Sequence, residues 1–120
     1  MIDVIIPAYN AHETIDKTLF SLSIQTIRDR IHVYIVDDKS IIGYSEEIKK
    51  YSDKLKITEL TLQENSGPGV ARQFGIDNSN SPYLFFIDAD DMLLYDNSLE
   101  RLRNAVQNYD MIKRCNYYCR

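Results

Sequence analysis

The chain has 120 residues, of which 44% are hydrophobic, so we expect a single domain with enough apolar side chains to bury a core. Its formal net charge of −4 argues against a nucleic-acid-binding surface, which needs clustered Lys and Arg. No apolar run approaches the roughly 18 residues of a membrane-spanning helix. Residues 1–4 lack the basic start and apolar stretch of a signal peptide, so we expect a cytoplasmic protein.

Apolar runs alternate with amphipathic or polar segments along the chain. In chain order they predict a strand at 2–7, a helix at 11–25, a strand at 31–36, a helix at 43–51, a strand at 56–62, a helix at 69–78, a strand at 82–87 and a helix at 97–107. Asn10 and Glu13 match a capping box at the start of the first helix. The tail at 110–120 is ambiguous, with a strand as one interpretation.

Alternating strands and helices predict an α/β fold. Because the predicted strands are almost continuously apolar, they indicate a mostly parallel sheet covered on both faces. Right-handed crossovers then give a Rossmann-like, three-layer α/β/α sandwich. We expect residues 1–120 to form this single domain, with 109–120 as an irregular or truncated end. Ligands of such folds bind outside the carboxyl ends of the strands, so those ends are the place to look for a site.

The fourth predicted strand ends in an acidic cluster, Asp88-Ala89-Asp90-Asp91. If the strand geometry continues, Asp88 and Asp90 face one way and Ala89 the other. Paired oxygen ligands on one side suit a hard divalent cation such as Mg²⁺ or Mn²⁺. The alternative is an acidic turn that stops the strand, because Asp is common in turns.

The other strand ends are also rich in polar or flexible residues, whereas the opposite ends, at Asp3, His32, Lys56 and Ser81, are undistinguished. The polar ends are Pro7-Ala8-Tyr9-Asn10, Asp37-Asp38-Lys39-Ser40 and Asn65-Ser66-Gly67-Pro68-Gly69. This enrichment on one edge of the sheet is what a ligand site would produce.

Each of these residues has a functional and a structural interpretation. The Tyr9 ring either stacks on a nucleobase or packs at the sheet edge, and Asn10 is a helix cap more readily than a ligand contact. Asp37-Asp38 either accept hydrogen bonds from a base or ribose, or close a turn. Gly67 and Gly69 either bring backbone N–H groups to a phosphate or are loop residues. Arg72 either faces an anion or forms a surface salt bridge.

Together, the functional interpretations describe one ligand. A base-binding surface, an arginine that faces phosphate and an acid pair that holds a metal fit a nucleoside diphosphate with a divalent cation. The structural interpretations would require several independent coincidences on the same edge of one sheet.

The motifs at these strand ends resemble family-two glycosyltransferases of the GT-A fold, over about residues 2 to 108. The resemblance rests on four segments in the same order and spacing: Val4-Ile5-Ile6-Pro7-Ala8-Tyr9-Asn10, Val36-Asp37-Asp38-Lys39-Ser40, Asn65-Ser66-Gly67-Pro68-Gly69-Val70-Ala71-Arg72-Gln73-Phe74-Gly75-Ile76 and Phe86-Ile87-Asp88-Ala89-Asp90-Asp91. It implies a metal-dependent, inverting transfer of a sugar from a nucleotide-sugar, usually a UDP-sugar, to a saccharide or lipid-linked acceptor. Such an enzyme would be cytoplasmic or peripheral to a membrane.

The resemblance also implies roles for individual residues. Asp37 would bind the base edge with Asp38 beside it, and Arg72 would reach the base or the diphosphate. In the Asp-X-Asp motif, Asp90 would bind Mn²⁺ or Mg²⁺ directly, with Asp88 nearer the ribose or sugar. Asp91 is a further candidate, for supporting the metal ligands rather than binding the metal itself. The remaining residues expected to bind the nucleotide-sugar are Pro7, Ala8, Tyr9, Asn10 and Ala89.

The chain departs from the family pattern in two ways. Gln73 stands where the family often has Asn, which is a minor change. More importantly, the family's acceptor-binding half and its catalytic base lie beyond the Asp-X-Asp motif, and here only residues 92–120 follow. We therefore assign no catalytic base and expect a truncated chain that holds the donor-binding half.

Several alternatives stay open from the sequence. One is a catalytically inactive nucleotide-binding fragment, and another is a homo-oligomer that covers apolar surface left by a missing half. A nucleotidyltransferase-like enzyme usually has a Gly-rich loop with a basic residue after its first strand, where this chain has Tyr9-Asn10-Ala11-His12. A phospho-receiver domain would carry its acid pair after the first strand rather than the second.

Overall fold

The computed structural model describes residues 1–106, 111–112 and 117–119. Its strands are Ile2–Ala8 (β1), Ile31–Asp37 (β2), Lys56–Thr61 (β3), Tyr83–Phe86 (β4), Met111–Ile112 (β5) and Tyr117–Cys119 (β6). Its α-helices are Ile15–Ser23 (α1), Ser45–Tyr51 (α2), Pro68–Asp77 (α3) and Ser98–Val106 (α4). All eight predicted elements are present, with shifted ends. The two short tail strands support the strand interpretation, although the rest of the predicted tail lies outside the described residues.

The strands form one sheet in the order β3-β2-β1-β4-β6-β5. β1 lies at the centre and pairs in parallel with β2 on one side and β4 on the other, so that Ile2 lies between Ile31 and Tyr83. β3 extends the parallel part, whereas β6 pairs antiparallel with β4, and β5 with β6. The predicted Rossmann-like, mostly parallel sheet is confirmed.

Helices cover both faces of the sheet, which explains why every residue of β1 is buried. Val4 and Ile6 belong to the core on one face, where Leu19 of α1 and Leu99 of α4 also pack. Ile5 points to the opposite face and packs in the core that contains Ala71 of α3. Side chains of a strand alternate between its faces, so this division gives the predicted three layers. None of the helices in the described part of the chain is long and apolar enough to cross a membrane.

The first helix begins later than predicted. It starts at Ile15 rather than Ala11, and the residue at its cap position is Thr14, whose side chain makes no capping hydrogen bond. Asn10 is therefore not the N-cap. Its φ of 48° lies in the left-handed region, which Asn tolerates better than most residues, and its Oδ1 accepts a hydrogen bond from the Ile41 N–H at 3.0 Å. A contact with a residue distant in sequence thus replaces the predicted capping box of Asn10 and Glu13.

The inner face of α1 and the turn that follows it contain buried polar side chains that the apolar pattern did not reveal. The Ser21 hydroxyl accepts a hydrogen bond from the Leu93 N–H at 3.1 Å. Gln25 donates to the Tyr95 carbonyl at 2.8 Å and accepts from the Leu99 N–H at 3.1 Å. These contacts fix the segment that follows the acidic cluster onto α1, because buried polar groups are costly to leave unpaired.

Asp3 contradicts the expectation that the amino-terminal ends of the strands are undistinguished. It is fully buried on β1, and its carboxylate accepts hydrogen bonds from the Ser81 N–H at 2.8 Å, the Ser81 hydroxyl at 2.7 Å and the Asn80 N–H at 3.0 Å. A buried carboxylate is tolerated when hydrogen bonds satisfy it. Asp3 thus fixes the loop that leads into β4.

Gly75 allows α3 to approach the sheet closely, since a Cβ there would lie 2.6 Å from Ile5 Cγ2. We expect Gly75→Ala to lower the free energy of unfolding by about 1–3 kcal/mol, because overpacking outweighs the gain in helix propensity. Gly69→Ala is the matched control in the same helix, where a Cβ meets nothing within 4 Å. Denaturant unfolding would test this, and equal stability of the two variants would contradict the close approach.

Candidate functional site

A cleft of about 500 Å³ opens at the carboxyl ends of β1 and β4. The strand order reverses between these two strands, and this is where ligands of doubly wound sheets bind. The cleft is lined by Pro7, Ala8, Tyr9, Asn10, Ala11, Thr14, Asp38, Pro68, Arg72, Asp88, Ala89 and Asp90.

Nine of the ten predicted site residues line this cleft, and Asp37 is the exception. Sequence reasoning missed Ala11, Thr14 and Pro68. The predicted helix at 11–25 includes Ala11 and Thr14, whereas residues 12–14 form a turn that precedes α1. The predicted helix at 69–78 excludes Pro68, which is the first residue of α3. All three lie close in sequence to predicted site residues, and this proximity is the feature of the sequence that could have indicated them.

Asp37 is buried at the end of β2, where its Oδ1 accepts a hydrogen bond from the Ser40 N–H at 2.7 Å. This contact closes the turn after the strand, as one of the two interpretations of Asp37-Asp38 predicted. The role of Asp37 in binding a base edge stays a prediction.

Asp38 connects three parts of the site. Its N–H donates to the Ala8 carbonyl at 2.8 Å. Its buried carboxylate accepts hydrogen bonds from the Ser66 N–H at 2.7 Å and the Gly67 N–H at 2.8 Å. The Gly67 amide is thus engaged within the protein rather than directed at a phosphate. Asp38 thereby fixes the loop from which α3 begins, and the φ of 94° at Gly67 is one that favours glycine.

Arg72 projects from α3 across the mouth of the cleft. Its Nη2 lies 3.1 Å from Asp88 Oδ1, and the side chains are 40% and 53% exposed respectively. Ion pairs this exposed contribute only about 0–1 kcal/mol, because water screens them. This contact fits the salt-bridge interpretation of Arg72, and its low strength leaves both groups able to exchange partners.

The acidic cluster is both a turn and a convergence of carboxylates. β4 ends at Phe86, so the strand does not continue, and the Asp91 N–H donates to the Asp88 carbonyl at 3.1 Å to close a turn. Ala89 is buried, whereas Asp88, Asp90 and Asp91 are exposed, with one carboxylate oxygen of each within 4.8 Å of the others. Three hard oxygen donors this close together fit Mg²⁺ or Mn²⁺.

The loop after β1 is held against the loop after β2 by a second group of contacts. The Asn10 N–H donates to the Ser40 hydroxyl at 2.8 Å, and the Ala11 N–H donates to the Tyr44 hydroxyl at 3.1 Å. The two hydroxyl oxygens are 2.9 Å apart. Burial raises the pKa of the Tyr44 hydroxyl, so it stays protonated at neutral pH.

The sequence model of glycosyl transferase family 2 matches residues 3–117. The chain belongs to this family. Its fold is the GT-A fold: it superposes on the crystal structure of Staphylococcus aureus TarS 1–349 in complex with UDP with a TM-score of 0.82, at 28% identity, over 90% of this chain and 32% of TarS 1–349.

Two family 2 relatives match almost the whole chain. An uncharacterized glycosyltransferase of Haemophilus influenzae is 30% identical over 98% of this chain and 47% of its own length. Glycosyltransferase GlyA of Streptococcus pneumoniae is 33% identical over 98% of this chain and 17% of its own length. The chain therefore spans less than half the length of these relatives.

The geometry predicts different roles for the buried and exposed acids. We expect Asp38→Asn to lower the free energy of unfolding by about 2–3 kcal/mol, because an amide replaces a buried charge that accepts two backbone N–H bonds. The matched variant, Asp90→Asn, should change it by less than about 0.5 kcal/mol, because Asp90 is exposed. Urea unfolding of both variants provides the measurement. A larger loss of stability for Asp90→Asn than for Asp38→Asn would contradict this division.

Proposed function

We propose that the cleft binds the nucleoside diphosphate of a sugar donor, a UDP-sugar, together with a divalent cation. The intact enzyme would use this site for inverting, metal-dependent transfer of the sugar to a saccharide or lipid-linked acceptor. One observation carries the proposal: the cleft at the strand-order reversal brings together an exposed aromatic ring, an arginine and two carboxylates, Asp88 and Asp90, which converge with that of the adjacent Asp91. The complex of the structurally similar TarS with UDP supports the choice of nucleotide.

The two sides of the cleft suit the two ends of such a ligand. On the β1 side, the Tyr9 ring is 54% exposed although it lines the cleft, so it offers a flat apolar surface to a base. On the β4 side, the guanidinium of Arg72 matches the geometry of a phosphate and can exchange Asp88 for it at low cost.

Asp88, Asp90 and Asp91 would hold the cation. These side chains are exposed, and their carboxylate oxygens are the ligands that Mg²⁺ and Mn²⁺ prefer. When bound, a divalent cation would neutralise the negative charge that develops on the diphosphate leaving group. Asp90 lines the cleft and is the most direct candidate ligand, with Asp88 beside it.

No general base is assigned to this chain. Among the described residues that line the cleft, the carboxylates are Asp38, Asp88 and Asp90. Asp38 accepts backbone hydrogen bonds, and the other two belong to the acidic turn. This observation favours, as a second candidate, a chain that binds the nucleotide-sugar without transferring the sugar.

Titration calorimetry with UDP and Mn²⁺ tests the proposal. We expect saturable binding that disappears when EDTA removes the metal, because the cation links the carboxylates to the diphosphate. Asp90→Ala should weaken UDP binding by at least about tenfold, because even loss of a residue that only orients a metal ligand lowers metal affinity by about 10–100-fold. Asp53→Ala, which removes an exposed acid outside the cleft, should leave the affinity unchanged.

Two results would contradict the proposal. One is the absence of heat when UDP and Mn²⁺ are added to the unaltered chain. The other is an Asp90→Ala variant that binds UDP and Mn²⁺ as tightly as the Asp53→Ala control.

A further inference from the structure

Tyr44 lies under the β1–α1 loop and has no place in the proposed chemistry. Its side chain is fully buried and does not line the cleft. Its hydroxyl accepts a hydrogen bond from the Ala11 N–H and shares a second one with the Ser40 hydroxyl. Ser40 in turn accepts a hydrogen bond from the Asn10 N–H. Two consecutive backbone amides of the loop are thus satisfied by two side chains from the next loop.

These contacts define the conformation of the nucleotide-facing loop. Asn10 has left-handed backbone geometry, which non-glycine residues adopt only when their surroundings favour it. Tyr9 precedes it and depends on the same backbone for the direction of its ring. Regular structure begins again only at Ile15, and the N–H groups of Thr14 and Ile15 donate to the Ala11 carbonyl. The side chains of Ser40 and Tyr44 bind the N–H groups of Asn10 and Ala11, which these turn bonds leave open.

Tyr44 is itself held both at its ring and at its backbone N–H, so it is a rigid support. The ring of His12 stacks on its ring at a centroid distance of 4.4 Å and an interplanar angle of 12°. His12 Nε2 donates to the Gly43 carbonyl at 3.1 Å, which keeps the stack in register. The Tyr44 N–H donates to Glu59 on β3 at 3.1 Å.

We propose that Tyr44 is a positioning residue for the nucleotide. Through the Ala11 N–H and Ser40, it sets the Tyr9–Ala11 wall of the cleft in the conformation that accepts the base and ribose. The inference rests on the proposed function, and it concerns the nucleoside end of the ligand. The acidic turn belongs to a different loop, so Tyr44 has no direct part in holding the cation.

Tyr51 provides a matched control. It is also buried, also lies on the α2 side of the sheet, and its hydroxyl also bridges to another element, donating to the Asp16 carbonyl at 3.2 Å and contacting Asp16 Oδ1 at 3.0 Å. Those contacts join α2 to α1 and do not involve the β1–α1 loop. Tyr51→Phe therefore removes a comparable buried hydroxyl without changing the cleft wall.

The experiment measures the binding of uridine, of UDP with Mn²⁺, and of Mn²⁺ alone to the unaltered chain, Tyr44→Phe and Tyr51→Phe. We expect Tyr44→Phe to raise the Kd of uridine and of UDP by about three- to tenfold, the effect of losing one neutral hydrogen bond. Its Kd for Mn²⁺ alone should not change. Both variants should lose thermal stability, because each lacks a buried hydrogen bond. Tyr51→Phe should nevertheless keep all three Kd values of the unaltered chain.

Ser40→Ala supplies a second, independent variant, because it breaks the same junction at a half-buried residue and leaves the Tyr44 ring in place. It should raise the uridine and UDP Kd values as Tyr44→Phe does. In the double variant, the Kd should rise by less than the product of the two single fold-changes, because both substitutions act on the same loop conformation.

The inference would be overturned if Tyr44→Phe and Tyr51→Phe bound UDP equally, or if Tyr44→Phe weakened Mn²⁺ alone as much as it weakened uridine. Either result, with UDP binding intact in the unaltered chain, leaves the proposed function standing. Failure of the unaltered chain to bind uridine or UDP with Mn²⁺ would overturn the proposed function itself, and the role of Tyr44 with it.

Discussion

The reversal of strand order between β1 and β4 is the constraint on which the rest of the structure depends. From β1 the chain moves through α1 and α2 to β3, and it returns through α3 to β4 on the other side of β1. With right-handed crossovers, α1 and α3 cover opposite faces of the sheet, and the loops after β1 and β4 flank the point at which the strand order reverses. The cleft is the space between them, and its two walls inherit different chemistry: aromatic and backbone groups from one loop, carboxylates from the other.

Two buried carboxylates then fix α3 at its two ends. Asp38, just after the end of β2, holds the amides of Ser66 and Gly67 before the helix begins, and Asp3, near the start of β1, holds Ser81 after it ends. Each carboxylate accepts hydrogen bonds from backbone N–H groups of a loop, and these bonds offset the free-energy cost of burying it. Because Arg72 projects from this helix, its distance from the acidic turn is set by contacts at both edges of the sheet.

Much of this arrangement follows from local sequence patterns. Apolar runs identified the four long strands, and strand–helix alternation identified the parallel sheet and therefore the edge that carries the site. Local patterns failed where the partner is distant in sequence. Asn10 and Glu13 match a capping box, but Asn10 instead bonds to Ile41, and the structural role of Asp3 depends on Ser81, 78 residues away. Tyr44 gave no signal at all, because its role depends on contacts with Ala11 and Ser40.

The central claim is that one cleft holds the base of a nucleoside diphosphate at one wall, and its diphosphate and cation at the other. The most direct measurement is an amide NMR titration, with UDP added in the presence of Mg²⁺ and trace paramagnetic Mn²⁺ added separately. We expect UDP-dependent shifts at residues 9–11 and Mn²⁺ broadening centred on residues 88–91. Broadening centred on other exposed acids, such as Glu46 on α2, or UDP shifts that bypass the β1–α1 loop, would contradict it.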